Sequence, residues 1–356
     1  MRILLLILVM LAAGCADEPA PESRVVLATV DGLRWEEVFS GLDSSMVGNG
    51  QEDLLEEFWA PEPEERRSRL FPWLWSEVAT GGVLLGNRRI GSNGTIANGR
   101  NFSYPSYNEL LSGAADDRID SNDKVPNPNV TVLEWLNHRP GFEGRVAAFA
   151  SWDVFPFILN EERSGLPVNA GFREAVGPGL TDRERYLNRL QALTPSPWSA
   201  VRLDVFTHHY ALEYARRESP VILYVGYGET DDFAHDGDFE AYIRAAHRTD
   251  AFLRDLWGWL QSEPGYSGNT TLIVTTDHGR GSGEGWIGHG EGPRWAGSEY
   301  VWLAAIGPAV APGGERSDVD FELRQVAATV AAAAGEVYPA APPITEILVP
   351  ADGLER

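Results

Sequence analysis

Two hydrophobic patterns alternate along the chain. Short apolar runs rich in β-branched residues and bounded by turn signals begin at Arg24 (RVVLATV), Arg145 (RVAAFA), Val221 (VILYVGY), Thr271 (TLIVTT) and Tyr300 (YVWLAAIG). Runs of this length and composition predict buried parallel strands. Between them apolar residues recur at three- and four-residue intervals, most clearly from Phe239 to Leu260, where Phe239, Tyr242, Ile243, Ala246, Leu253, Leu256, Trp257 and Leu260 predict one amphipathic helix. Residues 181–217 read as two further helices. Residues 42–70, with QEDLLEEF and PEPEERRSR, read as a charged excursion over the sheet's edge or its active-site face. The alternation predicts an α/β fold, a doubly wound and mostly parallel sheet flanked by helices.

The chain opens MRILLLILVMLAAGC, with one basic residue, an apolar stretch short for a bilayer span, and small residues before Cys15. An export signal over residues 1–14 is the expectation. LAAGC resembles the bacterial lipobox, which implies lipid attachment at Cys15, a flexible tether over residues 15–23, and a catalytic domain over residues 24–350. The protein would then sit in the bacterial periplasm or at the cell surface, meeting the membrane only through its lipid. Cys15 is the only cysteine, so a disulfide within the chain is excluded and the fold must rest on its core or on metals. With 52 acidic against 29 basic residues the formal net charge is −23, a surface that repels nucleic-acid polymers. An anionic substrate would need local positive charge, which bound cations can supply.

Candidate chemistry lies where the predicted strands end. The first ends in Asp31, the one from Val221 leads to Asp231 with His235 four residues on, and the one from Thr271 leads to Asp277 and His278, with His289 after a glycine-rich stretch. In an open parallel sheet the carboxyl ends share one edge, where ligands bind. Each cluster alone also reads as a turn or helix cap. Together Asp31, Asp231, His235, Asp277, His278 and His289 make a ligand set for two borderline divalent ions, zinc or manganese. Ser103, before a predicted helix that continues through Pro105, is either a helix cap or a nucleophile exposed to the helix's free N–H groups. His208 and His209 read as ordinary helix residues.

These motifs, in this order over nearly the whole chain, resemble those of the alkaline-phosphatase superfamily, which includes nucleotide pyrophosphatases/phosphodiesterases, cofactor-independent phosphoglycerate mutases and sulfatases. The resemblance implies that Asp31, Ser103, Asp277 and His278 surround one metal and that Asp231, His235 and His289 hold the other. It implies phosphate-ester hydrolysis through a seryl intermediate on Ser103. The departures narrow the branch. In SYPSY, Tyr107 stands where a sulfatase has arginine, and Asp31-Gly32 replaces the adjacent acids usual after a sulfatase's first strand. There is no room for a mutase's transferase domain. Asn101, Asn122 and Arg280 are candidate holders of the phosphoryl oxygens. Asparagine would suit a diester, whereas arginine, with its paired hydrogen bonds, would favour a monoester. Trp35, Tyr104, Tyr107, Trp286 and Trp295 either line a leaving-group pocket or pack loops onto the sheet. The competing expectations are a sulfate or phosphonate hydrolase of the same superfamily, and a non-catalytic lipoprotein that binds an anion or a partner.

Overall fold

The structure, a computed structural model, describes residues 23–349. The signal segment, Cys15 and all of the tether except Ser23 lie outside the described residues. Among the described residues eleven strands form in chain order: β1 (Arg24–Val30), β2 (Gly82–Leu85), β3 (Gly94–Thr95), β4 (Val146–Ala150), β5 (Val168–Ala170), β6 (Ile222–Tyr227), β7 (Thr270–Thr275), β8 (Tyr300–Val301), β9 (Leu303–Ile306), β10 (Gly314–Glu315) and β11 (Phe321–Glu322). Eight build the main sheet in the order β10-β2-β9-β7-β1-β6-β4-β5, and β11-β3-β8 make a small one.

Every residue of β1 is buried, and β1 pairs in parallel with β6 and β7. Side chains on a strand alternate between faces. Val25, Leu27, Ile222, Tyr224 and Ile273 therefore join one core, under the helices Ser103–Ser112, Val132–Asn137 and Gln325–Ala333. Val26, Ala28, Val30, Leu223, Val225, Leu272 and Val274 face the opposite core, under the helices Asp204–Glu218 and Phe239–Ser262. Helices on both faces of a mostly parallel sheet are the architecture the alternation predicts.

Two local readings change. The run from Tyr300 is not one parallel strand. Tyr300–Val301 joins the small sheet, and Leu303–Ile306 enters the main one antiparallel to both β7 and β2. Composition cannot report strand direction, because burial on both faces gives the same residues either way. Residues 42–70 are more than a solvated excursion. Their helices Glu52–Phe58 and Pro63–Leu70 bury Leu54, Phe58 and Leu70 in the second core, and the dense charges between these anchors hide the apolar stripe. The Phe239–Ser262 helix also buries Asp250, whose carboxylate accepts the Trp73 and Leu74 N–H groups at 2.9 Å each, fastening that segment to the helix.

The predicted pair of helices is present as Asp182–Leu193 and Asp204–Glu218, the first opened by a Thr181/Glu184 capping box. His208 lies buried in the second. Its ring meets the Tyr227 hydroxyl at 3.1 Å and Asp255 at 3.0 Å, and burial holds its pKa down at about 4.

Candidate active site

The register of the central strands builds the site. Thr29 of β1 pairs with Thr275 of β7, and Val30 with Tyr227 of β6. Asp31 and Asp277 each lie two residues beyond the paired threonines, and the Asp31 N–H donates to the Tyr227 carbonyl at 3.0 Å. The three motif-bearing loops thus leave the sheet at one level.

His278, Asp31 and Asp277 form the first cluster, all buried. The His278 Nδ1 lies 2.9 Å from the Gly279 carbonyl; a carbonyl only accepts, so Nδ1 carries the hydrogen. Burial keeps the ring neutral by lowering its pKa to about 4. Its Nε2 therefore presents a lone pair, and it lies 3.4 Å from Asp31 Oδ1, 3.3 Å from Asp277 Oδ2 and 3.3 Å from Ser103 Oγ. Asp31 Oδ1 and Asp277 Oδ2 are buried without a hydrogen-bond partner. Burial, and then the neighbouring carboxylates, push the pKa of both acids well above the ordinary value. Two partnerless carboxylate oxygens converge with the His278 lone pair, which has only the Ser103 hydroxyl as a proton donor, and such a set fits a divalent cation. Other oxygens are already used for orientation: Asp31 Oδ2 accepts from the Tyr107 hydroxyl at 3.0 Å, and Asp277 Oδ1 from the Gly32 N–H at 3.1 Å.

Asp231, His235 and His289 form the second cluster. The helix Glu229–His235 puts Asp231 and His235 on one face, four residues apart. His235 Nε2 lies 3.1 Å from Asp231 Oδ2 and 3.0 Å from His289 Nε2. The His289 Nδ1 meets the Asn101 carbonyl at 3.2 Å, which again leaves Nε2 as the free donor atom. Burial first, and then electrostatic coupling to the stacked His278 ring, hold His289 well below the usual histidine range. For Asp231, burial opposes ionisation, but Arg280, His235 and His289 outweigh it and hold the carboxyl well below its ordinary value. The rings of His278 and His289 stack at 3.9 Å, so the clusters share a wall. The chemistry of this donor set, imidazole with carboxylate, suits zinc, with manganese as the alternative.

Ser103 is the first residue of its helix, after Phe102 at the cap position. It does not serve as the N-cap. It lines a cleft of about 450 Å³ together with Asp31, Asn122, Asp231, Asp232, His235 and His289, and with Phe102, Trp152 and Val201 on the apolar side. The next N–H in the helix, that of Tyr104, donates to Asn122 Oδ1 at 2.9 Å, so the Asn122 amide is held beside Ser103.

The other two proposed oxygen-holders lie elsewhere. Asn101 takes a left-handed φ of +53° and supports His289 through its carbonyl. Arg280 is buried and turned onto Asp231 and two backbone carbonyls. Neither lines the cleft.

Residues 42–305 match the family described as type I phosphodiesterase / nucleotide pyrophosphatase. The chain belongs to this family. The matched span holds every residue of both clusters except Asp31, as well as Ser103. Solved structures with the same fold include an inactive variant of murine ectonucleotide pyrophosphatase/phosphodiesterase 5 in complex with AMP, with TM-score 0.60 and 13% identity over 92% of this chain and 100% of that one. Wild-type alkaline phosphatase PafA is similar with TM-score 0.59 and 11% identity, over 93% of this chain and 100% of that one. BT1596, a 2-O GAG sulfatase, gives 0.57 and 15%, over 90% and 72%. A comparison with curated protein sequences gives no match. The protein is an alkaline-phosphatase superfamily member and a phosphoric ester hydrolase.

The aromatic residues that the sequence singled out mostly pack. Tyr104 and Tyr107 are buried, Trp286 packs on Phe239 and Tyr242, and Trp295 lies against Gly288. Trp152 and Phe102, which the sequence reading passed over, face the cleft instead. Trp152 comes two residues after β4, so the strand-end rule that found the acids also points to it.

Proposed function

We propose that the protein hydrolyses phosphate diesters at a two-cation site, with Ser103 as the nucleophile. The observation that carries this is the convergence of Ser103 Oγ with both ligand clusters, 3.3 Å from His278 Nε2, on one cleft. The phosphoryl group enters the cleft beside Ser103 and Asn122. Ser103 gives up its hydroxyl proton as Oγ bonds to phosphorus, the bond to the departing ester oxygen breaks and that oxygen takes up a proton, leaving Ser103 joined to a phosphoryl group that keeps its other ester arm. Water then attacks the phosphorus, and Ser103 leaves with its hydroxyl restored. Divalent cations held by the clusters, zinc in this reading, would supply charge stabilisation and ease ionisation of the attacking hydroxyl or water.

Asn122 favours the diester over the monoester. Among the described residues, no lysine or arginine lines the cleft. A diester carries one negative charge at phosphorus and asks for less compensation than a dianion, so an amide donor suffices beside the cations. Phe102, Trp152 and Val201 would receive an apolar or aromatic part of the ester. Lipid attachment at Cys15 and residence in the periplasm or at the cell surface belong to the same proposal, on the strength of LAAGC.

The test is a parallel assay of the full chain in detergent against aryl phosphate monoester, diester, phosphonate and sulfate substrates, with zinc or manganese added. The diester is expected to turn over fastest, and Ser103→Ala to lower its kcat by at least about a thousandfold. Faster turnover of the monoester or sulfate would overturn the diester reading. Full activity in Ser103→Ala would overturn the nucleophile.

A further inference from the structure

We propose that Arg280 is the positioning residue of the Asp231–His235–His289 cluster, tying the loop that precedes His289 to the helix that carries Asp231. The inference rests on the two-cation reading above. Arg280 follows His278 by two residues and is among the largest fully buried side chains. A buried guanidinium is costly unless its donors are matched, and here they are matched by acceptors from two separate segments. Nε donates to the Trp286 carbonyl at 2.7 Å and Nη2 to the Ile287 carbonyl at 2.8 Å, while Nη1 donates to Asp231 Oδ1. The loop Gly283–Ile287 and the helix Glu229–His235 are therefore held at once by one rigid planar fork.

That fork sets the spacing of the ligands. The loop delivers His289 two residues after Ile287, and the helix delivers Asp231 and His235. By taking Oδ1 the guanidinium leaves Asp231 Oδ2 to face His235 Nε2 at 3.1 Å. Gly32 closes the arrangement from the sheet side: a Cβ there would lie 2.5 Å from Asp231 Oδ1 and 2.8 Å from Arg280 Nη1. Three of its five N–H groups have oxygen acceptors, and Nη2 also lies 3.5 Å from His235 Nδ1, so Arg280 has a structural reason not to hold substrate oxygens. It also sets a positive charge beside a cation site. Positioning strengthens cation binding and repulsion weakens it, so removing the side chain distinguishes the two by sign.

The experiment measures zinc stoichiometry and affinity of the full chain in detergent, by titration against a competing chelator, for wild type, Arg280→Met and Arg280→Lys. Asp277→Asn, which disables the other cluster, identifies which affinity belongs to which site. Wild type is expected to hold two zinc ions. Arg280→Met should keep the Asp31–Asp277–His278 ion and bind the second about 10- to 100-fold more weakly, the effect typical of losing a partner that orients a metal ligand. Arg280→Lys should fall between, since a single ammonium cannot reproduce the fork. Unchanged or tighter binding of the second ion in Arg280→Met overturns the inference. If Arg280→Met does not fold, Arg280→Lys decides: weakening by about tenfold or more supports it, and unchanged affinity overturns it. Fewer than two ions in wild type overturns the two-cation reading, and with it the inference, and that outcome is visible in the wild type alone.

Discussion

Gly32→Ala probes the close packing around Asp231 and Arg280. Gly32 follows Asp31 with φ of +60°, a left-handed conformation that costs a non-glycine residue about 1–2 kcal/mol. The added Cβ would lie 2.5 Å from Asp231 Oδ1, 2.8 Å from Arg280 Nη1 and 3.3 Å from Asp231 Cβ. Ordinary contacts start near ~3.5 Å, so the Asp231–Arg280 pair must retreat by about 1 Å. Overpacking of this kind costs about 1–3 kcal/mol, for a total of roughly 2–5 kcal/mol. Urea unfolding of the metal-free protein measures that loss. Hydrolysis of an aryl diester with zinc present should fall by about a hundredfold or more, the usual effect of misplacing a reacting group by an ångström. Gly268→Ala is the control: its φ is +71° with no atom within 4 Å of the new Cβ, so it carries the backbone strain without the collision. Equal losses in the two variants, with activity retained in Gly32→Ala, would refute the argument that this glycine is required by the Asp231–Arg280 pair.

Metal removal should make stability depend on pH in a defined direction. Burial and neighbouring acids raise Asp31 and Asp277, and they hold Asp232 at about 8; burial and Glu229 hold Asp204 at about 7. A carboxyl with a raised folded pKa binds protons in the folded state that the unfolded chain does not, so stability rises as pH falls through this range. His208 and His278, at about 4, and the lowered His289 act in the opposite sense only below about pH 6.5. The chelated protein should therefore have a higher Tm at about pH 6.5 than at about pH 8.5, and excess zinc should flatten the slope. A lower Tm at the more acidic pH would contradict the assignment. For Trp152→Ala, the KM for an aryl diester should rise about tenfold with kcat little changed, because the ring supplies binding that is equal in ground and transition states. A fall in kcat at constant KM would exclude that role.

Much of the site was legible because its chemistry is local to strand ends. Asp31, Asp277 and His278 follow apolar runs whose burial the composition announces, and Asp231 and His235 follow another with helical spacing. Once the sheet is parallel, those ends share an edge, and no further information is needed to bring the two clusters together. The Ser103 helix start was visible in its Pro105, but whether Ser103 capped the helix was not. That question turns on Phe102 occupying the cap position, with Ser103 Oγ 3.3 Å from a ring supplied 175 residues later.

The sequence by itself determined the alternation of strands and helices, the absence of any internal disulfide, and the ligand types and their order. These depend on neighbours a few residues apart, where backbone period and side-chain chemistry act directly. Tertiary structure alone decided the antiparallel entry of β9 and the burial of Leu54, Phe58 and Leu70 beneath a charged surface. It also turned Arg280 away from the cleft, because a buried guanidinium must satisfy its donors where acceptors exist, and the matching ones come from the Glu229–His235 helix and the backbone before His289. Partners so distant along the chain leave no local period to read.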